Sequence, residues 1–501
     1  MINQIRPLAN LFFIICLALI VVNCSDSGNE PALSSADPID ETVDDPIDAT
    51  IDEPLSDVPS DSLSKVIYVN NCSGCHGQKM ESFIERDWKY GSSSENILNS
   101  IKVGYPENGM PAYGETFSEE ELAHLSDFIL INIEGKTKAS LLDENPDLSG
   151  LITSDDLSFR LETLTHEISG IPWAITQLSN GDLLVTDRGG KLYRITTENQ
   201  LETIAGIPSV QSSGQGGLLD VEIHPNFSNN QLIYLSYSQQ NPQNASQATT
   251  AVARGKLLGN DLTEVEDIFI ALPYHSTNRH YGSRLLFDNA GYLYVSVGDR
   301  GSRDQFPQAL NNQIGKVHRL NDDGSIPTDN PFVNDQNAES SIYAYGIRNP
   351  QGLSLHPETG DVWEGEHGPQ GGDEINILNA GRNYGWPVIS YGINYNGTPF
   401  TDLTEKEGME QPLHYWVPSI APCGMDFVFG DFYAGWKNDL MVSSLKFEYL
   451  HRLKMDGNLV IGQEELLKGI GRIRDVHMGR DGYLYIAVEG PARVIRLIPQ
   501  Y

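Results

Sequence analysis

The chain has 501 residues, more than one compact domain usually holds, so two or more domains are expected. Its 33 Lys and Arg stand against 68 Asp and Glu, a formal charge of −35 that argues against nucleic acid as a partner. Five Cys exclude a disulfide scaffold, while 39% hydrophobic residues with 47 Gly and 27 Pro point to a well-cored, turn-rich and mainly β body.

Arg6 gives a weakly basic start to an apolar run over 11–22. The run is too short for a bilayer, which takes about 20 residues, and fits the core of a secretory signal. It ends at Val21-Val22-Asn23-Cys24, similar to a bacterial lipobox, in which Cys24 is lipidated and becomes the mature N-terminus. Asn23 departs from the small residue usual there. Residues 25–62 hold twelve acids and no Lys or Arg, with Asp-Pro-Ile-Asp repeated at Asp37 and Asp45. Pro breaks regular structure and like charges repel, so an extended, disordered linker is expected. Together these segments predict a periplasmic location or the outer face of a bacterial membrane, with the lipid as the one membrane contact.

Cys72-Ser73-Gly74-Cys75-His76 is a C-x-x-C-H motif, the signature of covalent c-type haem attachment. Two thiols three positions apart on a helical turn reach both vinyl groups of one haem, and His76 ligates the iron. A zinc site would need a second ligand pair, and none lies nearby. Farther on, a Gly/Pro-rich loop carries Met110 before a helix expected over 117–134, opened by a Ser118-x-x-Glu121 capping box. His124 on that helix is expected at the surface. The order looks like a small class I cytochrome c over 63–136, in which Met110 matches the second axial ligand. A His/Met pair raises the haem potential and suits electron transfer. The polar segment 137–156 is expected to be a hinge.

Six short apolar strands follow, each after a turn signal: 182–185, 231–235, 292–295, 361–363, 439–442 and 483–486. Their starts are about 44 to 78 residues apart, the spacing of propeller blades with variable loops. The fold class expected is mainly β, a six-bladed β-propeller over 157–501, preceded by the small all-α cytochrome domain.

Ordered motifs run through this body. They include Gly214-Gln215-Gly216-Gly217, His280-Tyr281-Gly282-Ser283-Arg284, Gly298-Asp299-Arg300-Gly301 and Gly346-Ile347-Arg348-Asn349-Pro350. Glu366-His367-Gly368-Pro369 through Asp373-Glu374, Asn383-Tyr384-Gly385-Trp386-Pro387, Trp416 through Pro422, and Gly471-Arg472-Ile473-Arg474-Asp475 complete the series. The series resembles the soluble PQQ-dependent aldose sugar dehydrogenases of the quinoprotein glucose/sorbosone dehydrogenase family, over about 160–499. The family's fold is a six-bladed propeller, which agrees with the repeat count.

The resemblance implies oxidation of an aldose at its anomeric carbon to a lactone, with PQQ and calcium as cofactors alongside haem c. It makes His280 the base that removes the hydroxyl proton, a task suited to imidazole because its pKa lies near neutrality. Asp299 matches the carboxylate that orients it. Arg348, Lys446, Arg472 and Arg474 match cationic contacts to the three PQQ carboxylates, and Gln215, Asn349 and Tyr395 match further contacts. Arg348 is also the match for stabilising charge on the quinone oxygen. The carbonyls of Gly368 and Pro369 match ligands of a cofactor-side Ca²⁺, which suits oxygen donors, and Glu374 with the Tyr384 carbonyl matches a second calcium site. Trp416 matches an aromatic beside the sugar. Two departures stand out: Cys423 replaces a common Ser, and Ile347 a frequent His.

The expected partners are an aldose sugar and a downstream electron acceptor of the respiratory chain. Two alternatives stay open: a sorbosone-type aldehyde dehydrogenase, and a non-enzymatic partner-binding propeller.

Overall fold

Short helices form first along the chain, each started by a local signal. In the computed structural model, residues 60–77, 79–85, 88–105, 110–136 and 148–500 are described. Cys24, the linker up to 59, part of the hinge (137–147) and the Cys75 side chain lie outside the described residues.

The helix Ser60–Asn71 leads into Ser73–His76, the turn that carries the C-x-x-C-H motif. Ser94–Val103 starts where the Ser93 hydroxyl accepts the Asn96 N–H. Glu119–Ile133 starts with the full capping box: Ser118 Oγ accepts Glu121 N–H, and the Glu121 carboxylate accepts Ser118 N–H. His124 on this helix is exposed. Gly104 closes Ser94–Val103 with φ +63°, and a Cβ there would sit 2.4 Å from Ala112 N. Only glycine lets the loop carrying Met110 fold back that closely. Ile67, Tyr68, Ile97, Leu122, Leu125 and Ile129 form the core of this helical module.

The rest is six antiparallel sheets, five of four strands and one of five. Each apolar strand read from the sequence falls in a different sheet, as the second strand from the axis. These strands are Leu183–Asp187, Leu232–Asn241, Leu293–Val297, Val362–Glu366, Leu440–Ser444 and Leu484–Glu489. Both their faces are buried, which explains their unbroken hydrophobicity. The six innermost strands are Pro172–Gln177, Leu218–Ile223, Leu285–Phe287, Pro350–Leu355, Pro422–Phe427 and Arg472–Met478. They pack neighbour to neighbour until the last meets the first, so the sheets close into a propeller.

Closure joins distant parts of the chain. Ser158–Thr165 pairs antiparallel with Arg493–Gln500, Leu161 opposite Leu497, and Ile152–Thr153 adds an edge strand. The hinge expected to run to 156 therefore stops short. Asp156 pairs with Arg452 at 2.6 Å, Asp155 with Lys454 at 2.7 Å, and Ser154 Oγ accepts Trp436 Nε1–H. These acids read as solvated linker in sequence, yet their cations lie about 300 residues on.

An inner strand has one edge without a partner strand, and acids of neighbouring blades cap the N–H groups there. Asp220 accepts Leu285 N–H at 2.6 Å, Asp475 accepts Ile175 N–H at 2.8 Å, and Asp426 accepts Met478 N–H at 2.8 Å. Arg284 lies between Asp220 and Asp475, 3.1 Å from each, over the Trp173 ring. Burial still dominates: it pushes Asp475 up to about 7 and Glu222 up to about 8. A carboxyl whose pKa is higher folded than unfolded stabilises the fold fully below its unfolded value, near 4, and loses that contribution as pH rises through its folded value. Glu222→Gln is therefore expected to raise Tm relative to the parent chain at pH 8 by more than at pH 5, as calorimetry at both pH values would read. An equal shift at both would contradict it.

Candidate functional site

The described residues form one compact unit, and the helical module and the propeller share one cavity of about 1570 Å³. Cys72, His76 and Met110 open onto it from the helical module. Gln215, His280, Asp299, Arg348, Asn349, Tyr395, Lys446, Arg472 and Arg474 open onto it from the propeller, as do Gly368 and Pro369. The two parts touch through the segment of the C-x-x-C-H motif: Arg472 donates to the carbonyl of Ser73 at 3.3 Å, and Lys79 to that of Gly469 at 3.1 Å.

His280 sits at φ +52° just before an inner strand, a conformation uncommon for a residue with a side chain. Its backbone N–H is held by Gln215 Oε1 at 2.7 Å. A Cβ on Gly298 would lie 2.3 Å from the His280 carbonyl, so this close approach requires glycine. His280 Nδ1 is 2.6 Å from Asp299 Oδ1. Asp299 also accepts Gly301 N–H at 2.6 Å on Oδ1 and the Trp386 indole N–H at 2.9 Å on Oδ2.

Although burial opposes its charge, Asp299 is held below the usual carboxylate range by His280 and Arg348. An ionised carboxylate only accepts, so the proton between them belongs to Nδ1 and the lone pair to Nε2. Burial, then the charge of Arg348, pulls His280 down to about 4. The imidazole is thus neutral at neutral pH.

The cavity is strongly cationic within an acidic protein. Arg348 donates to the carbonyls of His367 and Gly368, at 2.8 and 2.5 Å, and its backbone N–H goes to Glu366. Arg474 pairs with Glu489 at 2.6 Å, with Arg472 at 3.5 Å from the same oxygen. Burial lowers Lys446. Arg188 and Arg279 line the same wall, and the buried Arg279 Nε has no hydrogen-bond partner. An anion with several carboxylates fits this donor set.

Glu374 lies in a buried carboxylate cluster with Glu364 and Glu366 rather than on the cavity, each raised first by burial and, for Glu364 and Glu374, next by Glu366. Glu364 Oε1 and Asn376 Oδ1 have no hydrogen-bond partner, a donor set that fits a hard cation. Even so, among the described residues no group of three or more His, Cys, Asp or Glu is arranged to hold a metal. Tyr384 is buried beside this cluster, its hydroxyl donating to the Ile377 carbonyl. The Pro369 carbonyl accepts Ser419 Oγ–H at 3.1 Å, and a cation on the Gly368 carbonyl would share the Gly368 oxygen with Arg348.

Trp416 does not line the cavity. Its ring is buried in a core cluster with Trp363 and Ile375, and Val417 and Pro418 face the cavity in its place. The strand His414–Trp416 pairs at Asp373, and at its end the inward position turns into the blade. Cys423 is fully buried, its thiol raised by burial.

Sequence reasoning gave no role to Arg279, His367 or Trp386, although all three flank or lie within quoted motifs and line the cavity. His367 Nε2 lies 3.1 Å from Gln351 Oε1, and burial with Arg348, His280, Arg474 and Arg472 holds it well below its usual value.

Comparison with known proteins covers both parts. Residues 169–496 match the family described as "Glucose / Sorbosone dehydrogenase", and residues 63–129 match "Cytochrome C oxidase, cbb3-type, subunit III". The aldose sugar dehydrogenase YliI of Escherichia coli is 39% identical over 362 residues, covering 70% of this chain and 96% of that protein. Quinoprotein glucose dehydrogenase B of Acinetobacter calcoaceticus is 29% identical, over 64% of this chain and 84% of that one. The crystal structure of the apo soluble aldose sugar dehydrogenase from Escherichia coli superposes with a TM-score of 0.65 at 38% identity, over 68% of this chain and all of that one.

Proposed function

Because this chain belongs to the glucose/sorbosone dehydrogenase family and carries a cytochrome c domain, we propose that it oxidises an aldose sugar to its lactone and passes the electrons to its own haem. The single observation that carries this reading is the shared cavity: His280, the cations Arg348, Lys446, Arg472 and Arg474, and His76 with Met110 line one space.

PQQ is the cofactor this reading requires. Arg348, Lys446, Arg472 and Arg474 would hold its carboxylates, with Gln215, Asn349 and Tyr395 completing the cradle. When bound it supplies a two-electron acceptor for hydride, and calcium on the Gly368 and Pro369 carbonyls would polarise it. The second calcium would be held by Glu374 and the Tyr384 carbonyl. His280 Nε2 takes the proton of the anomeric hydroxyl. Asp299 keeps Nδ1 protonated and stabilises the imidazolium that forms. Arg348 places positive charge where negative charge grows. A sugar gives up two electrons and a c-type haem accepts one at a time, so each turnover needs two transfers.

Haem attachment calls for an oxidising compartment. With the signal-like run and Cys24, this supports a lipid-anchored protein in the periplasm or on the outer face of a bacterial membrane, feeding an acceptor of the respiratory chain. A non-enzymatic propeller would have no use for the His280–Asp299 pair or for the cations around it. The name of the matched family keeps sorbosone-type aldehydes as the second substrate class.

Protein freed of PQQ should be inactive on aldoses and recover when PQQ and Ca²⁺ are added together, read as haem reduction in the visible spectrum. Full activity with a nicotinamide cofactor and no PQQ would sink the assignment.

A further inference from the structure

Trp386 belongs to no role assigned above, yet among the described residues its indole makes the one side-chain hydrogen bond to Asp299 on the oxygen that His280 leaves open. We infer that Trp386 is a positioning residue for the base: its N–H and the His280 Nδ1–H hold the two oxygens of Asp299 from opposite sides and fix the imidazole's tautomer and aim. This rests on His280 being the base.

The indole is itself firmly placed. Its backbone N–H donates to the Gly346 carbonyl at 2.8 Å, and its own carbonyl accepts Gln308 Nε2–H at 2.8 Å. The Phe400 ring meets it edge-on at 5.2 Å, and the Arg348 guanidinium lies 5.3 Å from the ring centre. Gln308 is in turn paired with Asn383 through both amide atoms. The donor therefore comes from a segment 87 residues from Asp299, anchored on a neighbouring blade. Without the indole only Oδ1 is held, by His280 and by the Gly301 N–H, and the free second oxygen lets the carboxylate twist about its Cβ–Cγ bond and the imidazole swing with it. Held at both oxygens, it cannot rotate without breaking a charge-assisted bond.

The charges around the pair are mixed. Arg279 and Arg348 disfavour the imidazolium and Asp299 favours it. His275, Arg300 and Glu366 act on Asp299 electrostatically, and His367 faces His280. Removing the indole N–H leaves the Asp299 charge less shared, so His280 should hold its proton more tightly and titrate at a higher pH.

Trp386→Phe keeps the ring and deletes the donor. In the intact chain loaded with PQQ and Ca²⁺, kcat is expected to fall by about 10- to 100-fold, the effect of one hydrogen bond to a charged group, with KM for the sugar little changed. In the unloaded protein, the pH dependence of His280 modification by diethylpyrocarbonate, read on its peptide by mass spectrometry, should shift upward. In an Asp299→Ala background, which removes both carboxylate oxygens, the same substitution should cost nothing further, because its target is already gone. A full additional loss in that background, or an unmoved His280 titration, would overturn the inference. If His280→Ala is slow while Trp386→Phe matches the parent chain, this inference alone fails. If His280→Ala is itself fully active, the base assignment fails first.

Discussion

Replacing His280 by Ala is expected to lower kcat by about 10²–10⁴-fold, the usual range for a lost general base, while the cofactor still binds. The separation of the two effects follows from where the groups sit. The cations that suit an anionic cofactor belong to other strands and loops: Arg348 beside Pro350–Leu355, Lys446 after Leu440–Ser444, and Arg472 and Arg474 on Arg472–Met478. The Gln215 contact is to the His280 backbone N–H, which Ala retains. Because φ at this position is +52°, His280→Asn is the better control, since Asn tolerates the left-handed region and supplies no base. Rapid-mixing kinetics on both variants, with cofactor affinity measured separately, would decide the matter. An unchanged kcat in both would make His280 structural.

A second large effect is expected from joining the haem to the sugar site in one chain. Covalent attachment sets an effective concentration on the order of 1 mM for short linkers. Two separated domains at about 1 µM should therefore exchange electrons roughly 10³-fold more slowly than the intact chain and regain rate as either is raised. Sugar should reduce the haem of the intact chain at a first-order rate independent of protein concentration. Met110→Ala should lower the haem potential by removing the thioether and slow haem reduction without changing sugar binding. If the rate in the intact chain scales with protein concentration, transfer runs between molecules. The haem would then serve as an outlet to another partner.

The parts of this molecule that could be read from the sequence are those where one local rule dominates. The second strand of every sheet is apolar because both its faces are buried, and a turn signal precedes it. The innermost strands do not follow that rule. Leu218–Ile223 and Arg472–Met478 carry Asp220, Arg472, Arg474 and Asp475, which look solvated until the fold brings Arg284 to the two acids and Glu489 to the two cations. Asp155 and Asp156 misled in the same way, since Arg452 and Lys454 pair with them from the neighbouring blade, about 300 residues on in the chain. In the site, ordered motifs led to His280, Asp299 and the cations. Trp416 was placed on the wrong side because the sequence does not show which way a strand end turns. The indole of Trp386 became meaningful only when a neighbouring blade set it against Asp299.

The ring shuts where Ser158–Thr165 meets Arg493–Gln500, and this joint sets a timetable for maturation. Its two partners are far apart in the chain, Glu162 and Arg496 by 334 residues, and contacts this distant in sequence form later than local ones. The helical module, with its contacts local in sequence, can fold and meet the haem-ligation machinery while the propeller is still an open chain. The sugar site comes later, when the last strand docks. A chain truncated before residue 493 lacks the partner of Ser158–Thr165 and is thus expected to be sensitive to proteases throughout its β portion, while the helical module, whose contacts are local in sequence, stays protected.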